Sequence, residues 1–202
     1  MGASRRASLN PMCRAALRYA ERGWRVFPVG RDKKPKLMGG AHAGTTDRDQ
    51  IRTWWFHPQG TIPIAISTGP ESGIWVLDID PRNGGDQSLR ELVAEHGRLP
   101  KTLQARTASG GRHFYFKYPK LVTIRNSAGK VGPGIDHRGR NGYVVAPPSV
   151  VNHGSYEWLD DLEPAPSPPW LECLTLPPKQ RPFSGLFLCE HCGEPHQRRP
   201  NS

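Results

Sequence analysis

The stretch "GIWVLDID", residues 73–80, decides how the chain is read. Ile74, Trp75, Val76 and Leu77 form an unbroken apolar run, which predicts a buried strand. The run leaves through Asp78-Ile79-Asp80, and "PRNGG" follows. Side chains alternate along a strand, so Asp78 and Asp80 are expected to point the same way. Two carboxylates held together repel, and one pKa rises. A divalent cation between them removes that penalty, and hard cations such as Mg²⁺ or Mn²⁺ prefer oxygen ligands. An ordinary strand end entering a turn also tolerates two Asp residues, so the pair alone leaves both readings open.

The chain has 202 residues, enough for one domain with a tail. With 22 Gly and 21 Pro, it is expected to be rich in turns and irregular links. No apolar run approaches the length of about 20 residues that a membrane helix needs. The N-terminus lacks the apolar core of a secretory signal. Cys13, Cys173, Cys189 and Cys192 are too scattered for a disulfide framework. A cytoplasmic protein without membrane association is the expectation.

The net charge is +10, and its distribution is uneven. Residues 1–40 carry ten Lys and Arg against Glu21 and Asp32. Residues 98–140 carry ten more against one acid, Asp136. The intervening segment and residues 141–178 are both acidic. Two cationic blocks of this kind attract phosphate, as nucleotide or nucleic acid. A solvated basic face without a specific partner is the plainer alternative.

The expected domain spans residues 10–174, between a disordered 1–9 and a Pro-rich, basic tail at 175–202. Asn10 is a natural N-cap and Pro11 suits a first turn; Met12, Ala15, Ala16, Tyr19 and Ala20 then recur at helical spacing. Thr46 is placed to cap a short helix through Ile51, Trp54 and Trp55. Residues 24–29, 62–67 and 73–79 read as strands. A helix begins at Asp86 or Gln87 and ends at Gly97. Residues 103–108 and 112–118 read as a hairpin about Ser109, Gly110 and Gly111. Further short strands fall at 134–136, 142–147 and 155–159, and beyond Pro164 the core pattern fades. The mixture predicts an α+β (mixed α/β) fold, not a regular parallel βαβ series.

Two further segments bear on the chemistry. In "TASGGRHFYF" (107–116), glycines before Arg112 and His113 would let backbone N–H groups approach an anion. In "GIDHRGR" (134–140), Asp136 stands beside Arg138 and Arg140. Three carboxylates with a cationic cradle are what two-metal phosphoryl transfer requires.

These three motifs, "VLDID", "SGGRH" and "GID", resemble those of the bifunctional DNA primase/polymerase domain of plasmid, phage and integrative-element replication proteins. That family lies within the archaeo-eukaryotic primase superfamily. The likeness extends to "ALRYAERGWRVFPV", the Lys-Pro of "DKKPK", "WW" before "IPIAISTG", and "GYVVAPPSVVNHGSYEW", in the family's order, over roughly residues 12–172. The resemblance implies template-directed nucleotidyl transfer on single-stranded DNA, by DNA primase or DNA polymerase activity. It implies that Asp78, Asp80 and Asp136 bind Mg²⁺ or Mn²⁺. It implies that His113, with Arg112 and the backbone of Ser109, Gly110 and Gly111, contacts the nucleoside triphosphate, and that Arg138 contacts phosphate or template. The implied fold is a catalytic core in which an RRM-like sheet packs on an α/β N-terminal part.

Many relatives continue into a helicase region, but no GxxxxGK[ST] occurs here. A separate helicase or replication initiator is therefore an expected partner, or the chain is a fragment. Lys33, Lys34 and Lys36 either follow phosphates or form a solvated loop. Trp54 and Trp55 are expected in the core. In the tail, Cys189, Cys192 and His196, with His191 between, have the spacing of a zinc half-site. Two rival functions stay open: an inactive module that binds DNA or nucleotide, and a metal-dependent nuclease using the same carboxylates.

Overall fold

Asn10 caps the first helix as its chemistry predicts. Its side-chain oxygen accepts the Cys13 N–H at 2.8 Å, and α1 spans Pro11–Glu21. The computed structural model describes residues 10–56 and 61–177, with the backbone alone of Leu186–Leu188 and Pro195–Gln197. Residues 1–9 and most of the tail lie outside the described residues.

A small antiparallel sheet follows α1. Its strands are β1 (Val26–Pro28), β2 (Ile64–Thr68) and β8 (Gly142–Ala146), in the order β1-β2-β8. Helix α2 (Arg48–Trp54) intervenes in sequence between β1 and β2. Asp47, not Thr46, caps it, its carboxylate accepting the Gln50 N–H at 2.7 Å. Thr45 instead accepts the Asp47 N–H, which fixes the turn that feeds the helix.

The larger sheet is built around β3 (Ile74–Ile79). Its other strands are β4 (Gln104–Arg106), β5 (Arg112–Lys117), β6 (Ser127–Gly132), β7 (Ile135–Arg138) and β11 (Glu157–Trp158). They run β11-β4-β5-β3-β7-β6, antiparallel throughout, and β12 (Ala165–Pro166) adds a short parallel pairing beside β5. A two-stranded ribbon, β9 (Val150–Val151) with β10 (Gly154–Ser155), stands apart. Backbone pairing also joins β13 (Leu186–Leu188) to β14 (Pro195–Gln197).

The apolar run of β3 is explained by burial on both faces. Ile74 and Val76 enter one core with Tyr19 and Leu17 of α1, Ile64 and Ile66 of β2, and Tyr115 of β5. Trp75, Leu77 and Ile79 enter a second core with Leu89, Phe114, Phe116, Trp170 and Leu171. Leu89 belongs to α3 (Gly85–His96), and Trp170 and Leu171 to α4 (Pro169–Thr175). The larger sheet therefore has the N-terminal layer on one side and α3 and α4 on the other. This is a mixed α+β fold, as expected.

β2 and β3 follow one another through a tight turn but lie in different sheets, joined there by the Gly69–Ile74 bridge. Two expectations need correction. First, "SAGKVG" forms β6, although small and polar residues give it no apolar alternation; pairing with β7 supplies the missing order. Second, the core does not fade after Pro164. Pro169 starts α4, and Trp170 and Leu171 plug the second core. Trp54 and Trp55 do join the core, Trp55 fully and Trp54 in part.

Glu172 of α4 yields a pH prediction. Burial raises its carboxyl above the ordinary range, against the opposing hydrogen bond from Ser167 at 2.6 Å. A raised carboxyl pKa means that the folded state binds more proton, so this group's contribution to stability falls as pH rises past its unfolded value. Melting temperatures of wild type and Glu172→Gln, compared from about pH 4 to 7, should therefore diverge in favour of the variant. A constant difference over that range would contradict the assignment.

Candidate active site

Strand register brings the predicted residues together. In β3, Asp78 stands opposite His113 of β5 on one side and Asp136 of β7 on the other. Directly paired residues of an antiparallel sheet share a face, with Cβ atoms about 5 Å apart. His113, Asp78 and Asp136 therefore form one row across three adjacent strands. The row lies on the face of Ile74 and Val76, beyond the point where the N-terminal layer covers them.

A cleft of about 280 Å³ opens at this row, with Asp78, His113 and Arg138 in its wall. Lys33, Asn126 and Tyr156 also line it. The Asp78 side chain is 28% exposed, and its Oδ1 lies 3.6 Å from His113 Nε2, an ion-pair distance too long for a good hydrogen bond. Burial pushes the Asp78 carboxyl up. The His113 ring and the Arg138 guanidinium outweigh that and hold it below the usual carboxylate range, although Asp80 opposes them. Asp78 thus stays ionised in a mostly enclosed position.

The other two carboxylates already have partners. Asp136 accepts the Gly129 N–H at 3.0 Å and Arg138 Nη2 at 2.9 Å. Asp80 lies just past β3 and caps a single 3₁₀ turn, Pro81–Asn83. Its oxygens accept from Arg82 N, Nε and Nη2 and from Asn83 Nδ2, all within 3.1 Å. Hydrogen bonds from Arg82, against a smaller effect of burial, hold its carboxyl below the usual range.

Among the described residues, no three His, Cys, Asp or Glu side chains are grouped so as to hold a metal ion. The donor chemistry nevertheless suits a hard divalent cation at Asp78 and Asp136, oxygen ligands paired on adjacent strands, with Asp78 in the cleft wall. Asp80 would join them only by exchanging Arg82 and Asn83.

His113 is only 4% exposed, and its Nδ1 is buried without a hydrogen-bond partner. Its ring rests against Tyr115 and Tyr156, with centroids 6.0 and 5.8 Å away. Arg112, the next residue back, falls on the opposite face. There it pairs with Asp86 of α3 at 3.1 Å and lies over the Phe114 ring, so it does not line the cleft with His113.

The turn before β5 also differs in detail from its sequence reading. Gly110 has φ +83°, and a side chain there would meet open space. Gly111 has no such freedom: an added Cβ would lie 2.3 Å from the Ile79 carbonyl oxygen. The Gly110 and Gly111 N–H groups donate to Thr107 O and Thr107 Oγ1, both at 3.0 Å. They hold the turn closed. Ser109 Oγ lies 3.3 Å from Thr107 Oγ1 in the same network.

Lys33, left open in the sequence, is a wall residue. Its backbone is left-handed (φ 68°), its carbonyl accepts the Tyr143 hydroxyl at 3.2 Å, and its ammonium lies 5.8 Å from the Tyr156 ring centroid. Lys34 and Lys36 are exposed. Tyr156 and Asn126 were not singled out in the sequence. Tyr156 reads there as part of a short strand, and nothing local marks its approach to His113; burial, and then Asp78, push its phenol up to about 12. Cys189, Cys192 and His191 lie outside the described residues, and only the backbone of His196 is described.

Compared with known protein families, the chain matches the one described as bifunctional DNA primase/polymerase, N-terminal, over residues 16–170. It belongs to that family. No curated protein matches it. Among the described residues, no helix is long and apolar enough to cross a membrane.

Proposed function

We propose that this member of the bifunctional DNA primase/polymerase family adds nucleotides to DNA under the direction of a single-stranded template. The observation that carries this is the row His113–Asp78–Asp136, of which His113 and Asp78 line a cleft also walled by Lys33 and Arg138. Nucleotidyl transfer needs carboxylates beside a cationic wall, one for metal and one for triphosphate.

Asp78 and Asp136 would hold the divalent cation, Mg²⁺ or Mn²⁺, with Asp80 as a further ligand once freed from Arg82. When bound, the cation favours ionisation of the attacking 3′-hydroxyl and neutralises charge on the departing pyrophosphate. Lys33 and Arg138 attract the triphosphate from opposite elements of the wall. His113 keeps Asp78 ionised, and it would reach the phosphates only through Nε2, the ring nitrogen beside Asp78, since Nδ1 is buried. Tyr156 backs His113 and limits its rotation. Arg112 supports β5 through Asp86, and Ser109, Gly110 and Gly111 shape the turn beside the strand exit.

The first test supplies a labelled primer on a single-stranded template, with deoxynucleoside triphosphates and either cation. Longer products establish the reading, and omission of the primer then separates priming from extension. Tight DNA binding without extension would favour an inactive binding module. Primer shortening that depends on Asp78 would favour a nuclease. Whether a helicase or initiator acts with the chain, and whether the tail holds zinc, are separate proposals that this assay leaves aside.

Lys33 gives a sharper test of the cationic wall. One charge-assisted contact is worth about 1.5–3 kcal/mol, so Lys33→Ala should raise the triphosphate KM about tenfold or more. The maximal rate should change far less, since the ammonium neutralises bound phosphate before the transition state forms. Steady-state incorporation kinetics measure both. An unchanged KM would return Lys33 to the solvated loop.

A further inference from the structure

A second recess, of about 390 Å³, lies between the turn that follows β2 and the link from β5 to β6. Pro70, Tyr118, Pro119 and Val122 give it apolar walls, and Lys120 and Arg140 bring the cations. We propose that this recess binds the phosphodiester backbone of single-stranded nucleic acid, as the outer part of a track leading into the catalytic cleft. The proposal rests on the template-directed function argued above and adds where the strand runs.

Charge is the first support. Lys120 and Arg140 are exposed, and among the described residues neither lies within ion-pair distance of a carboxylate. Arg125 is paired to Arg140 through a backbone bridge, which holds two guanidinium-bearing residues side by side. Glu71 acts on Tyr118 against Arg140 and Arg125, one carboxylate opposing two guanidinium groups. A cluster with such an excess of positive charge is stabilised by a bound polyanion.

Shape is the second. Tyr118 is half-buried and its hydroxyl donates to the Ile124 carbonyl at 3.0 Å, so its ring is fixed in place. A fixed aromatic ring flanked by prolines offers bases a stacking surface that does not read sequence.

Continuity is the third. Residues 122–126 and 138–143 run between the two hollows. Val122 and Arg140 face the recess, whereas Asn126 and Arg138 face the catalytic cleft. The two segments are stitched together by Arg140 N–H to Ile124 O at 2.7 Å and Gly139 N–H to Asn126 Oδ1 at 3.0 Å. A strand leaving the cleft past Arg138 meets Arg140 next. A protein partner would not require this continuity.

The test compares full-length wild type, K120Q/R140Q, and R14Q/R18Q on α1 as a control of equal charge loss. Fluorescence anisotropy with labelled oligothymidylate is read across a salt series. Two lost phosphate contacts should lower the slope of log K against log salt by about 1.4, with affinity down about tenfold or more at low salt. Triphosphate binding should be unchanged in K120Q/R140Q, and the R14Q/R18Q control should retain the wild-type slope. Equal losses in both double variants would reduce the effect to net charge and overturn the proposal. Primer extension by wild type, together with unchanged DNA affinity in K120Q/R140Q, would overturn the recess alone. Wild-type protein that neither binds nor copies single strands would overturn the proposed function and the recess with it.

Discussion

Asp78→Asn is expected to slow nucleotide addition by about 10³-fold, equivalent to roughly 4 kcal/mol of transition-state stabilisation. Asn keeps the size and one oxygen of the native side chain but removes the charge. Asp78 is the middle of the row and the carboxylate in direct contact with His113. Its environment keeps it ionised although most of it is enclosed. A structural carboxylate would have little need of that arrangement. The fold should survive, since Asp78 faces the cleft and forms no part of either apolar core. Incorporation assays on protein shown to melt normally check both halves. Activity within tenfold of wild type would remove Asp78 from the chemistry.

Trp75→Ala, three residues earlier on the same strand, should do the reverse. Trp75 is fully buried, its ring centroid lies 5.1 Å from that of Phe116, and its indole N–H donates to Ser167 Oγ at 3.2 Å. Truncating such a residue costs about 3–5 kcal/mol. That is a large fraction of a typical domain stability of about 5–15 kcal/mol. The side chain points into the core under α3 and α4, away from the cleft. The fraction that stays folded should therefore keep wild-type triphosphate affinity. Urea denaturation gives the stability loss. A loss below about 1 kcal/mol would mean that the core closes over the gap.

Much of this was legible in the sequence because it depends on local rules. Asn10 and Pro11 mark the start of α1, and the run from Ile74 to Leu77 marks a strand buried on two sides. The motif order also pointed to His113 and Asp136 beside Asp78, and strand register places the three in one row. What the sequence hid is whatever depends on register or on distant packing. Alternation along β3 suggested that Asp78 and Asp80 act as a pair. The folded chain makes Asp136 the direct neighbour of Asp78, while Asp80 turns aside to cap Pro81–Asn83. Arg112 and His113 looked equivalent, yet adjacent strand residues point to opposite faces, and only His113 reaches the cleft. The strand β6 has no apolar signal because its order comes from β7, and Tyr156 reaches His113 only through tertiary packing. The glycine pair was read as an anion loop, but packing against Ile79 accounts for Gly111 without any ligand.

The most direct measurement is incorporation of a single nucleotide opposite each of the four template bases, by wild type and Asp78→Asn in parallel. Addition of the complementary nucleotide in all four cases, lost in the variant, is the predicted result. Incorporation that ignores the template base, or that proceeds equally without the Asp78 carboxylate, would contradict a template-directed centre at His113, Asp78 and Asp136.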